Sequence, residues 1–245
     1  MKKILTILAT LLFAAYLLFS LFVSRSGNEK GEGELCNGIV VEVRNKSGYD
    51  LIHNSTINEM LDAKGLNPSG MMMGEVDIEA MENALKTNPL IHTADCYKTN
   101  DNEIFVNLVT KVPILRVINN RGENFYVDSN SDIIDAELQP MDIPLATGYI
   151  DRLYASEKLY ELALLLQESE FWYAQIAQIN VTSDNQVELV PRVGSHLLLL
   201  GDASNFEQKL DRLMKFYIDG LGVVGWNKYS SISVAFSNQV VCKKK

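Results

Sequence analysis

The sequence predicts an α+β protein: a single N-terminal transmembrane helix, a compact β-α-α-β-β unit, then a β-rich unit with covering helices. Three observations carry this. Ile4 to Val23 is an apolar run of twenty residues without a charge. Residues 39–112 give strand and helix signals in the order β-α-α-β-β. The second half alternates apolar runs with turn residues, the mark of successive strands.

The anchor comes first. At about 1.5 Å per residue, a helix over residues 4–23 spans the roughly 30 Å of bilayer hydrocarbon. A cleavable signal peptide has a shorter apolar region and a small-residue cleavage site, whereas this run exits into Ser-Arg-Ser-Gly. Lys2 and Lys3 precede the span while Arg25 and Lys30 follow it, and the positive-inside rule places the short tail 1–3 in the cytoplasm. Residues 24–35, rich in Gly, Glu and Ser, read as a flexible linker.

Beyond the linker, residues 39–45 alternate apolar and polar and form a strand. Ser55 is placed to cap a short helix that stops at Gly65. Asn67 to Gly70 is a turn. Asp77 caps a second helix with Ile78, Met81 and Leu85 on one face, ending before Pro89. Two strands follow, at 93–99 and 103–112, joined at Asn100-Asp101-Asn102. The two helices are expected to cover one face of a small mixed sheet.

In the second half, residues 114–120 and 123–130 flank a turn at Arg121-Gly122 and form a hairpin. Ser156 to Gln167 is a helix burying Leu159, Leu162, Ala163 and Leu166. A hairpin around Ser183-Asp184-Asn185 and a strand at 196–201 come next. Ser204 is placed to cap a helix on which Phe206, Leu210, Leu213, Met214 and Tyr217 recur at helical spacing. One last strand, Tyr229 to Val241, closes the unit, and a terminal strand of this kind is expected at a sheet edge with free backbone groups.

Composition narrows the function. The 245 residues, 47% hydrophobic, suffice for one large domain or two small ones. Lys and Arg total 22 against 31 Asp and Glu, a net charge of -9, which argues against nucleic acid as the main partner. Cys36, Cys96 and Cys242 lie far apart and form no CxxC pair, so neither a disulfide scaffold nor a zinc ribbon is expected. A bridge between Cys36 and Cys96 stays open. His53, His92 and His196 sit in separate segments, without metal-ligand spacing, and read as surface or turn histidines. Ser195 and His196 are neighbours in a strand, so their side chains point to opposite faces and make no nucleophile-base pair. Met71-Met72-Met73 reads as a loop packed under the first helices, and Phe171-Trp172-Tyr173 as a closure of helix onto sheet. No catalytic, metal or cofactor site is predicted, and Lys243-Lys244-Lys245 forms a solvated basic tail.

Several local patterns, taken in order, resemble the FtsQ/DivIB cell-division family. Pro89-Leu90-Ile91 with Ala94 and Tyr97 is similar to that family's exit from the second helix into a strand. Val112 to Val117 is similar to its hinge, and Glu123 to Asp128 to its tyrosine-valine-aspartate strand. Leu189 to Gly201, Lys209-Leu210 and Tyr229 to Cys242 resemble forms from the Bacteroidetes branch. The resemblance implies a POTRA domain over 36–117, a β domain over 118–242 and a basic tail at 243–245. It implies a non-catalytic, single-pass scaffold of the inner membrane at the division septum, with its C-terminal domains in the periplasm. The implied partners are the single-span proteins FtsB (DivIC) and FtsL, with other divisome proteins reached through the POTRA domain. Binding is implied to be strand addition at the last strand, through Tyr229, Ser231, Ser233, Phe236, Ser237, Asn238 and Val240. This chain carries Val234-Ala235 where many relatives have a leucine-arginine pair. Two other readings remain: a secreted ligand-binding or hydrolytic domain, and a POTRA-bearing chaperone for exported proteins.

Overall fold

The computed structural model describes residues 33–44 and 48–245, together with Phe13 and Tyr16. The expected tail 1–3, the span 4–23 apart from Phe13 and Tyr16, and most of the linker lie outside the described residues. Among the described residues, no helix is long and apolar enough to cross a membrane.

The chain divides into two compact units. The first, residues 33–44 with 52–110, opens with β1 (Gly38–Arg44), α1 (Asn54–Ala63) and α2 (Ile78–Lys86). It closes with β2 (Ile91–Lys98) and β3 (Glu103–Thr110). The strand order is β1-β3-β2, with β1 parallel and β2 antiparallel to the central β3. This is the small mixed sheet the sequence predicts. Ile104, Val106 and Leu108 of β3 are buried on one face, as are Ile57, Leu61, Met81 and Leu85 of the helices. That alternation is the period-2 signature of a sheet covered on one side.

Local chemistry sets these boundaries. Asp77 caps α2 as expected, its carboxylate accepting from the Ala80 N–H at 2.9 Å. Ser55 does not cap α1, which starts at Asn54 and has His53 at its cap position with no side-chain capping bond to the helix. The turn before the methionines holds, with Met71 N–H donating to the Pro68 carbonyl at 3.0 Å. Only Met73 of the methionine run is buried, and Leu35, assigned by composition to the linker, bridges to Met72. Cys36 and Cys96 are buried free thiols, and burial raises that of Cys96 to about 12.

The second unit, residues 111–245 with 48–51, is built on a nine-stranded sheet. Its first strands are β4 (Pro113–Asn119), β5 (Asn124–Asp128), β6 (Ile133–Ile134) and β7 (Leu145–Gly148). Then come β8 (Ile176–Val181), β9 (Val187–Pro191), β10 (Leu197–Gly201), β11 (Tyr229–Ser233) and β12 (Val241–Lys244). The order is β12-β11-β10-β9-β8-β7-β4-β5-β6. Pro113 to Val117, assigned from sequence to the first domain, therefore belong to the second sheet, because β4 pairs with β5 and β7. A single cross-sheet row, Phe125-Val117-Ala146-Ile179-Leu189-Leu198-Ile232, is buried throughout. On it pack three helices.

The first of these, α3, begins at Arg152–Tyr154, passes through a π-turn at Ala155–Leu159 and continues as Tyr160–Glu168. It starts earlier than the sequence suggests because Asp151 caps it, accepting from the Tyr154 N–H at 2.7 Å. Leu159, Leu162, Ala163 and Leu166 are buried as expected. The short α4 (Glu170–Gln175) buries Trp172, whose ring meets Tyr217 edge to face at 5.6 Å. The third, α5, runs over Phe206–Lys215 into a second π-turn at Phe216–Leu221 and ends at Gly222–Val224. Ser204 does not cap it. Asn205 occupies the cap position with φ +51° and no side-chain capping bond, its amide donating instead to the Ser204 hydroxyl oxygen at 3.3 Å, while the Ser204 hydroxyl donates to Asp202 Oδ1 at 3.0 Å. The start of α5 is held from inside the helix instead, where the buried Lys209 Nζ donates to the Asp202 carbonyl (2.7 Å) and carboxylate (2.5 Å).

Candidate functional site

The predicted terminal strand is in fact a hairpin. β11 lies parallel to β10, with Leu198 opposite Ile232, and the pairing continues through Val234 N–H to the Leu199 carbonyl at 2.9 Å. β12 then folds back antiparallel on β11, with Cys242 opposite Ile232 and Val241 opposite Ser233. Tyr229, Ser231 and Ser233 therefore sit in a strand flanked on both sides, and their backbone does not form the edge. Phe236, Ser237, Asn238 and Val240 lie in the connection between the two strands.

The reason is local. Ser237-Asn238-Gln239 is a run of turn formers inside the apolar pattern, and Asn238 adopts φ +61°, a conformation that asparagine tolerates better than most residues. That signal is present in the sequence and marks the reversal. Among the described residues, the backbone of β12 pairs on one side only, leaving its outer row of N–H and C=O groups without a strand partner there. The edge residues Val241 to Lys244 are thus the ones that period-2 reading of one long strand misses.

A groove of about 510 Å³ lies beside the hairpin, between α5 and the 238–240 connection. Phe216 and Val240 give it apolar walls; Arg212, Lys215 and Asp219 give it charge. Arg212 Nη2 donates to the Val234 carbonyl at 3.0 Å and so ties α5 to the end of β11, while its Nε is buried without a partner. Gly201 permits this packing: at φ +80°, a Cβ there would sit 2.7 Å from that of Ala235. Phe236 is 58% exposed at the tip of the connection. Toward the chain end the edge carries Lys243, Lys244 and Lys245, all exposed, in a protein whose net charge is negative. The Cys242 thiol points toward the core side of the row and is raised by burial.

His196 is not a surface histidine: it is 3% exposed, and its Nε2 shares a 2.8 Å hydrogen bond with the Tyr217 hydroxyl. Burial, with Lys245 nearby, holds its pKa below the usual imidazole value. Ser195 accepts from Lys245 Nζ at 2.5 Å while His196 meets Tyr217, but both residues lie in the bend before β10 and not in a strand, so the expected strand alternation is not what separates them. Phe171 and Trp172 meet Tyr217 edge to face at 5.9 and 5.6 Å, so their ring contacts join α4 to α5 and not, as expected, the 156–167 helix to the sheet, while the Tyr173 hydroxyl donates to the Asp142 carbonyl.

No curated protein matches the chain. Among solved structures, it is similar to the major extracytoplasmic domain of the trans isomer of the bacterial cell division protein DivIB from Geobacillus stearothermophilus. The two share 19% identity at a TM-score of 0.31, over 44% of this chain and 94% of that one. Residues 34–109 match the family model for a POTRA-like domain, the span of the small mixed sheet and its helices. Residues 112–243 match the model for FtsQ/DivIB, C-terminal related, from the first strand of the large sheet to its open edge. That match takes in more than half of the sequence, and the chain belongs to the FtsQ/DivIB family.

Proposed function

We propose that this protein is a non-catalytic scaffold of the cell-division machinery, held in the inner membrane by residues 4–23 with its folded units outside. It captures FtsB/DivIC-like and FtsL-like partners by strand addition and links them to septal peptidoglycan synthesis. One observation carries the reading: β12 is a terminal strand whose outer backbone groups are unpaired among the described residues. An extended partner segment laid along it would gain main-chain hydrogen bonds for affinity, with alternate side chains meeting the protein for specificity. Phe236 offers an exposed aromatic anchor at the near end, and Arg212 and Lys215 offer charge for acidic side chains. Family membership supports the cell-division role.

The test is capture of the C-terminal portions of FtsB- and FtsL-like proteins by the full chain in detergent. Removal of residues 241–245 is expected to abolish capture. Phe236→Arg should weaken it by about tenfold or more, as for an interface anchor, with circular dichroism unchanged because the ring is exposed. Undiminished capture without residues 241–245 would sink strand addition at this edge. Loss of folding in Phe236→Arg would make that ring structural.

A further inference from the structure

Register brings several strand termini to one end of the large sheet. β4, β8, β10 and β11 begin there, at Pro113, Ile176, Leu197 and Tyr229, while β9 and β12 finish there, at Pro191 and Lys244. It is also the end at which the chain enters the unit, through Lys111 and Val112. The turn that leads from α5 into β11 reads Gly222-Val223-Val224-Gly225-Trp226, and Val223 is 82% exposed. Trp226 is exposed too, and packs edge to face on Tyr217 at 5.1 Å. Phe171 flanks the same ring. Val193, exposed just past β9, has its carbonyl held by the Gln175 amide at 3.1 Å.

Lysines border this apolar tip. The Lys228 carbonyl accepts from the Lys245 N–H at 3.3 Å, and Lys244 lies opposite Tyr229 in the register. Lys245 Nζ reaches the Ser195 hydroxyl, two residues past Val193. All three lysines are exposed. Glu170, beside Phe171, is an exposed acid, and Asp219 lines the groove with Arg212 and Lys215. The basic rim thus lies on the Trp226 side, in a chain whose net charge is -9.

Exposed apolar patches mark contacts with proteins or with bilayers, and the composition here separates the two. Protein interfaces are enriched in arginine and depleted in lysine. Tryptophan with lysine is the pairing of the bilayer interface. Shape agrees with composition. Val223 stands on a turn between two glycines, a convex tip that enters an acyl boundary without needing a complementary pocket. Lysine stems lie along apolar surface while their ammonium groups stay with headgroup phosphates. The Trp226 indole has an apolar body and a polar N–H, the form suited to headgroup depth.

We propose that the Val223–Trp226 turn, with Lys228, Lys244 and Lys245, docks on the surface of an anionic lipid bilayer. This contact is separate from the anchor proposed at residues 4–23 and does not depend on strand addition at β12.

Reconstitution of the full chain in phosphatidylcholine vesicles, with and without phosphatidylglycerol, tests it. Acyl chains brominated near the headgroup quench a tryptophan that enters the bilayer. The other tryptophan, Trp172, is buried, so the difference between wild type and Trp226→Phe isolates Trp226. Its quenching should be at least about threefold stronger with phosphatidylglycerol. Combined Lys228→Gln, Lys244→Gln and Lys245→Gln, or salt at about 0.5 M, should return it to the phosphatidylcholine level. Val223→Asp should reduce it with Trp226 in place. Circular dichroism accompanies each variant, and Lys228→Gln alone serves if the triple change unfolds the edge.

Vesicle flotation reports the anchor by itself. Flotation without quenching of Trp226 overturns the proposal and leaves the anchor standing. Quenching with flotation that salt abolishes would support the contact and remove the anchor. Equal quenching in both lipids, unmoved by the lysine changes, overturns the proposal. So does loss of FtsB-like capture in Val223→Asp without any quenching, which would make the turn part of a protein interface.

Discussion

Helices α2 and α5 each lie on one face of a sheet, yet they are fixed in different ways. Asp77 closes the first turn of α2 within three residues of itself, and the Thr87 hydroxyl donates to the Ala84 carbonyl at 2.7 Å at its other end. α5 has no such bond at its start. It is pinned by Lys209 reaching back to Asp202 and by Arg212 reaching Val234, contacts spanning 7 and 22 residues. One helix is delimited by its own neighbours in sequence, the other by strand ends that arrive at different points in the chain. Local caps fix where a helix begins, whereas tertiary polar contacts also fix what it must lie against. The second arrangement holds the groove wall beside the open edge.

The largest effect should come from the buried row that lies beneath α5 in the second unit. Leu198→Ala, at a fully buried position in the third strand from the β12 edge, should cost about 3 kcal/mol in urea unfolding. A loss below about 1 kcal/mol would mean that the α5 contacts, not the row beneath them, dominate the large unit. Next come the two serine and aspartate positions that look alike in sequence. Asp77→Ala should cost about 1 kcal/mol as a lost cap, and Ser204→Ala less than about 0.5 kcal/mol because its hydroxyl caps nothing. Equal losses in the two thermal melts would break the comparison.

The smallest effect is a pH slope. His196 is buried with its pKa held below the unfolded value, chiefly by desolvation and then by Lys245. The unfolded chain therefore binds more protons, so stability is full above about pH 6.5 and declines as pH falls from there toward the depressed folded value. Melting temperatures from pH 7.5 to 5 should show this decline, and His196→Gln should flatten it. A slope unchanged by the substitution would assign it to other groups.

Much of this was legible because the signals were local. The β-α-α-β-β order, the Asp77 cap, the turns at 121–122 and 183–185 and the buried stripe of α3 all follow from residues close in sequence. What escaped depends on distant partners. Ser55 and Ser204 have the composition of caps, but capping needs an oxygen aimed at a free N–H, which sequence does not give. His196 is polar and isolated in sequence, and only Tyr217, 21 residues on, makes its burial tolerable. The candidate edge was half legible. An exposed terminal strand was expected, while the reversal at Ser237-Asn238-Gln239 was hidden because apolar residues on both sides read as one continuous strand. Arg212 and Lys215 were hidden for a different reason, since charges on the outer side of an amphipathic helix look like ordinary solvated residues until a neighbouring loop closes over them.

The π-turns of α3 and α5 bear on how this family can vary in length. A single residue inserted into a regular helix swings everything after it by about 100°, which would carry Leu162, Ala163 and Leu166 off the sheet. A π-turn absorbs that residue as a local widening, leaving both flanks in phase. Glu157 and Lys158 bulge to the exposed side of the first widening, and Ile218 and Asp219 to that of the second. These are the two places in the helical layer where a relative one residue shorter would still align its apolar stripe with the same strands, and where a gap in a pairwise alignment belongs.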